Sequence, residues 1–119
     1  MGKLYHEITG DVIAVFEDGK VYRDVWMTEL IGVYDNLDNI YLKSKYTKKK
    51  FIGTYAGDIL KHSSIVVGYI EGNNVYSGFV AKNSMKIAHF SGDDKCGAAA
   101  AALISGLFEA DRRKFQEGI

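Results

Sequence analysis

At 119 residues, 47% hydrophobic and 25% charged, the chain has the size and composition of one globular domain spanning residues 1–119. Fifteen basic residues balance fifteen acidic ones, so net charge points to neither nucleic acid nor a membrane as partner. The single cysteine, Cys96, excludes an internal disulfide and fits a reducing, cytoplasmic compartment; no apolar run is long enough for a transmembrane helix, and residues 1–7 lack the apolar core of a signal peptide.

Proline is absent and glycine occurs thirteen times, so turns must rely on Gly, Asn and Asp. Residues 12–16 (VIAVF) form an apolar, β-branched run that reads as a strand buried on both faces. Asp18-Gly19 signals a hairpin turn, because tight hairpins need positive φ, and residues 20–27 alternate as the return strand. Residues 30–34 and 40–46 are further strands around the turn 35–39. Residues 47–50 read as a basic turn and 51–56 as a short strand ending at Gly57. Residues 58–64 read as a short connection with room for one helical turn. Two more hairpins follow, 65–71 with 75–81 around Gly72-Asn73-Asn74, then 85–90 after Lys82-Asn83-Ser84.

The last predicted element is a helix over residues 94–116, capped by Ser91 or Asp93, with Arg112, Arg113 and Lys114 near its end. Cys96, Ala99, Leu103, Leu107 and Ala110 make one stripe at helical spacing, widened by Ala100, Ile104 and Phe108. Residues 98–102 are all alanine, which brings the first two turns very close to a sheet. No internal repeat, linker or low-complexity tail is evident. The expected fold class is α+β: one or two antiparallel sheets of six or seven strands in hairpins, with one Ala-rich C-terminal helix packed on the sheet.

Three segments in order resemble the proteasome β-subunit and the HslV protease, which are N-terminal-nucleophile hydrolases. Residues 9–19 (TGDVIAVFEDG) are similar to that family's opening hairpin, residues 51–58 (FIGTYAGD) to its strand ending in Ala-Gly, and residues 87–92 (IAHFSG) to its strand running into an Ala-rich helix. The resemblance implies an abbreviated fold of that type. It also implies Thr9 as nucleophile, Lys43 as the lysine that keeps the site electropositive, Gly57 as oxyanion donor and Ser91 as supporting serine.

Departures accompany the likeness. Eight residues precede Thr9, with Ile8 where the family carries glycine. The family's aspartate falls at Val25 rather than at the neighbouring Asp24, and the two long helices after the Ala-Gly strand shrink to 58–64. The first expectation is therefore a catalytically degenerate protein acting through a protein partner or as a homo-oligomer. The second is a threonine peptidase or amidohydrolase activated by removal of residues 1–8. A third reading takes the cluster of Lys43, Lys45, Lys48, Lys49 and Lys50, with Tyr41 and Tyr46, as an anion- or nucleic-acid-binding patch. Neutral net charge and the lack of a nucleic-acid motif count against nucleic acid.

Cys96 in a first helical turn suits a small core residue better than a nucleophile. His6, His62 and His89 have no metal-ligand spacing, so neither metal nor cofactor is expected. Trp26, Tyr22 and Tyr34 fit either an exposed aromatic patch or core.

Overall fold

A computed structural model describes residues 1–78 and 85–108. Ten strands run in chain order: β1 (Gly2–His6), β2 (Val12–Glu17), β3 (Lys20–Tyr22), β4 (Leu30–Tyr34), β5 (Asn39–Leu42), β6 (Lys50–Ala56), β7 (Ile59–His62), β8 (Ile65–Glu71), β9 (Asn74–Ser77) and β10 (Met85–Phe90). Each pairs antiparallel with its neighbour in sequence, and β10 pairs with β1, so the sheet closes into a barrel with no free edge.

The α+β expectation is thereby corrected, as is the truncated hydrolase fold that the resemblance implied. There is one closed sheet of ten strands in place of six or seven. β1 and β7 were not anticipated, because Gly2–His6 has one large aliphatic residue and Ile59–His62 is only four residues long. The stretch expected to hold a helical turn is instead a tight hairpin. Positive φ at Gly57 (58°) and Asp58 (66°) turns β6 directly into β7.

The wall repeats five times. Each unit places a small residue on the inner face, a large one two positions later, and an aliphatic residue opposite the large one on the next strand. The small residues are Ala14, Gly32, Gly53, Gly68 and Ala88. The pairs are Phe16 with Val21, Tyr34 with Ile40, Tyr55 with Leu60, Ile70 with Val75 and Phe90 with Leu4. The absence of a repeat expected from the sequence is thus overturned. Loops of unequal length hide the period, which spans 15 residues from Gly53 to Gly68 but 21 from Gly32 to Gly53.

The helix α1 (Lys95–Ile104) fills the barrel instead of lying on a sheet face. All seven residues from Gly97 to Leu103 are buried, nearly two turns, so every side of the helix meets wall. Ten strands about 4.8 Å apart close a ring roughly 15 Å across before tilt widens it, which admits a helix only if both surfaces are thin. Alanines on the helix and small residues on the wall supply that thinness. A β-carbon added at Gly32 would fall 2.1 Å from Ile104 Cδ1, and one at Gly68 2.6 Å from Phe108 Cε1. Val15 is also fully buried, although it faces outward between its register partners Lys3 and Tyr22.

The helix begins at Asp94, whose side chain accepts from the Gly97 N–H, and not at Ser91 or Asp93. α1 ends at Ile104, where Ser105 caps it and Gly106 takes φ 79°; Leu107 and Phe108 are helical again, and the rest of the expected helix, residues 109–116, lies outside the described residues. Ala110, Arg112, Arg113 and Lys114 lie outside the described residues, as do residues 79–84. Strand β3 stops at Tyr22 rather than Met27, and β5 at Leu42 rather than Tyr46.

Because every pairing is antiparallel, successive turns alternate between the two ends. One end gathers the β1–β2, β3–β4, β5–β6 and β7–β8 connections and the helix C-terminus. The other gathers the β2–β3, β4–β5, β6–β7 and β8–β9 turns and the segment leading into the helix.

Candidate functional site at the basic mouth

The alternation of turns sorts charge. The end at which the helix enters carries Glu17, Asp18, Asp35, Asp38, Asp58 and Glu71 on its turns, with Asp93 and Asp94 beside them. The opposite end, here the mouth, carries Arg23 and the run of Lys43, Lys45, Lys48, Lys49 and Lys50 against four acids, Glu7, Asp11, Asp24 and Glu29. The neutral total conceals this separation.

Helix α1 occupies the barrel interior, with residues 97–103 buried against the wall. At the mouth the β3–β4 and β5–β6 loops enclose an open cleft of ≈ 600 Å³. Leu30, Ile31, Leu42 and Ile104 give it an apolar floor; Arg23, Lys43, Lys45 and Tyr46 stand over it. Each loop is held by its own polar groups. Asp24 accepts from the backbone N–H of Thr28 and of Glu29, both at 3.0 Å, and from the Thr28 hydroxyl. Those bonds, the Thr28 hydroxyl first, hold the Asp24 carboxyl below the usual carboxylate range. The result is a fixed turn with Trp26 at its tip, 79% exposed.

In the β5–β6 loop the Lys43 ammonium donates to the carbonyl of Thr47 at 2.8 Å, and the Ser44 N–H donates to Thr47 Oγ1 at 2.8 Å. The Ser44 hydroxyl accepts from the Tyr46 N–H at 3.3 Å. This turn presents Tyr46, 88% exposed. Lys49 sits over the Tyr41 ring, 4.6 Å from its centroid.

Acidic groups at the mouth are largely engaged. Glu29 pairs with Arg23 at 2.8 Å, and Glu7 with Lys86 at 3.2 Å and His89 at 3.0 Å. The hydrogen bond from His89 is the main cause holding the Glu7 carboxyl below its usual range. Among the described residues, Lys45, Lys48, Lys49 and Lys50 form no ion pair. The mouth therefore has cations to spare.

The four residues singled out by the hydrolase resemblance do not converge. Thr9 lies in the exposed β1–β2 turn at the mouth, where its hydroxyl accepts from the Asp11 N–H at 3.2 Å. Lys43 is at the same end but four strands away around the ring. Gly57 and Ser91 lie at the other end, roughly 20 Å away along a seven-residue strand such as β6. Ser91 Oγ accepts from the Lys3 N–H at 3.0 Å, a strand-end contact. The lysines of the third reading do share one surface.

Cys96 is partly buried on the first helical turn, among Asp38, Asp94 and Asp35. Burial first, then those carboxylates, pushes its thiol up to about 12, the opposite of what a nucleophile needs. No group of three or more His, Cys, Asp or Glu among the described residues is arranged to hold a metal. No helix among them is long and apolar enough to cross a membrane. Of the three aromatic residues left open by the sequence, Trp26 is the exposed one. Tyr34 points into the barrel, and Tyr22 lies on the outer wall opposite Val15. Exposure of Trp26 was not readable from spacing; the signal, in hindsight, is its place between Asp24 and Thr28, a side-chain-closed turn.

Comparison with known proteins gives no relative: no family model, no curated protein and no solved structure matches the chain.

Proposed function

We propose that this protein is a non-catalytic binding module that engages an anionic partner through the basic mouth. The observation that carries the reading is the concentration, on one end of a helix-filled barrel, of lysines that form no ion pair among the described residues, with two exposed aromatic side chains, Trp26 and Tyr46, on hydrogen-bonded turns. Exposed aromatic rings on turns already held by hydrogen bonds contribute contact area without ordering the backbone, and surplus cations supply attraction and fast encounter.

The test is retention on immobilised heparin, an anionic probe with no defined sequence. The wild-type chain is expected to bind and to elute at a salt concentration that falls sharply in a Lys45→Glu, Lys48→Glu, Lys49→Glu variant. Flow-through of the wild type, or an unchanged elution point in the variant, would contradict the reading. A charge change at Asp58 and Glu71, on the opposite end, serves as the control and is expected to leave the variant-to-wild-type order intact.

A further inference from the structure

We infer that the anionic partner is the surface of a lipid bilayer, with the barrel standing end-on and its mouth seated in the headgroup region. This inference rests on the reading of the mouth as the binding surface. Among the described residues, exposed large hydrophobic side chains gather toward the mouth. All four described connections at the mouth carry one at or beside the turn: Ile8, Trp26, Tyr46 and Ile65, of which Ile8 is 87% exposed. Met85, at the mouth end of β10, adds a fifth. At the opposite end, among the described residues, Leu37 and Met1 are the only exposed large hydrophobic side chains. The apolar tips thus form a ring around one end of a cylinder, the shape that meets a plane, and not a stripe or pocket shaped for a peptide.

The charge pattern selects the same partner. Tyr46 at a loop tip flanked by Lys45, Lys48, Lys49 and Lys50, whose stems are apolar and whose heads remain wet, and Trp26 at the tip of the neighbouring β3–β4 loop match the layered chemistry of an anionic bilayer interface. A nucleic acid would account for the lysines and aromatic rings but gives Ile8, Ile65 and Met85 nothing to do. The acidic end of a second copy would also satisfy the lysines, yet it offers no apolar seat for five tips. The fixed loops matter here: Asp24 holds the Trp26 turn and Lys43 the Tyr46 turn before contact, so insertion costs little ordering.

The experiment is co-sedimentation with vesicles of phosphatidylcholine, with and without phosphatidylglycerol, read together with the emission of Trp26, the chain's single tryptophan. The expected result is sedimentation with the anionic vesicles only, a blue shift of Trp26 emission, and quenching by lipids brominated near the headgroup. Lys45→Glu with Lys48→Glu and Lys49→Glu, and separately Ile8→Ser with Tyr46→Ser, are each expected to weaken partitioning about tenfold or more. All these positions are exposed, and an unchanged circular dichroism spectrum verifies the fold. Retention on heparin without sedimentation on anionic vesicles overturns the bilayer assignment and leaves the mouth as the binding surface. Failure of both overturns both. Sedimentation with no Trp26 shift and no effect of the Ile8 and Tyr46 changes also overturns it, because the tips would then not be inserted.

Discussion

Gly53 of β6 lies so close beneath Leu103 of the central helix that a β-carbon on it would fall 2.7 Å from Leu103 Cδ2, and 2.0 Å from the carbonyl oxygen of Lys61. Backbone on one side and helix on the other leave no direction in which a side chain could move. Gly53→Ala is therefore expected to cost about 1–3 kcal/mol through overpacking, and Gly53→Val more. Thermal unfolding by circular dichroism is the check. A melting temperature within a degree of wild type for Gly53→Val would show that the helix does not occupy the barrel as described.

The same contact explains what was legible in the sequence. The hairpins at Asp18-Gly19 and Gly72-Asn73 are legible, because Asp18, Gly19 and Gly72 take the positive φ that such turns demand. Closure was not readable: it depends on β10 meeting β1, a pairing between Phe90 and Leu4 that no local pattern encodes. The alanines of 98–102 announced a close approach but not from how many sides. What distinguishes the two cases is that no polar side chain occurs from Cys96 to Ile104, whereas a helix lying on a sheet keeps a polar face toward water. At the mouth, the lysine run was visible as a cluster. The segregation of charge was not, because turns belonging to opposite ends alternate along the chain.

Tyr34 links the wall to the helix entrance, and Tyr55 braces the β6–β7 turn. Tyr34 Oη donates to Asp94 Oδ2 at 2.6 Å, and Tyr55 Oη to Asp58 Oδ1 at 2.9 Å. Burial first, then the adjacent carboxylate, raises the pKa of both phenols well above the ordinary tyrosine value. A folded pKa above the unfolded one near 10 means that the unfolded chain releases protons first as pH rises. The stability tied to the neutral phenols is thus complete below pH 10 and declines above it. Tyr34→Phe is expected to lose about 1 kcal/mol at neutral pH and to flatten that alkaline decline, measured as urea midpoints from pH 8 to 11. An alkaline profile identical in Tyr34→Phe, Tyr55→Phe and wild type would contradict this.

Cys96 gives an independent probe of the helix entrance. With its thiol raised to about 12 by burial and by Asp38, Asp94 and Asp35, little thiolate exists at neutral pH. Its reaction with a disulfide reagent in the native protein is expected to be at least about tenfold slower than after unfolding in urea. Equal rates in the two states would mean that the first helical turn is open to solvent.

Asp24 holds the Trp26 loop through bonds from the backbone N–H groups of Thr28 and Glu29 to its Oδ1. An asparagine at this position retains an oxygen acceptor there, and an alanine does not. Asp24→Ala is expected to lower the fluorescence anisotropy of Trp26 while Asp24→Asn stays near wild type, with the melting temperature of both changed little. The Asp24 carboxyl titrates below its ordinary range, and its protonated form, like asparagine, still offers an oxygen acceptor, so the wild-type anisotropy is expected to hold as pH falls through the usual carboxylate range.

The central claim is that the mouth is the binding surface. It is tested most directly by mapping backbone amide shifts on titration with heparin fragments. The expected map shows changes concentrated in residues 23–29 and 43–50, with the turns at Asp18, Asp58 and Glu71 unaffected. Shifts confined to those acidic turns, or spread evenly over both ends of the barrel, would contradict it.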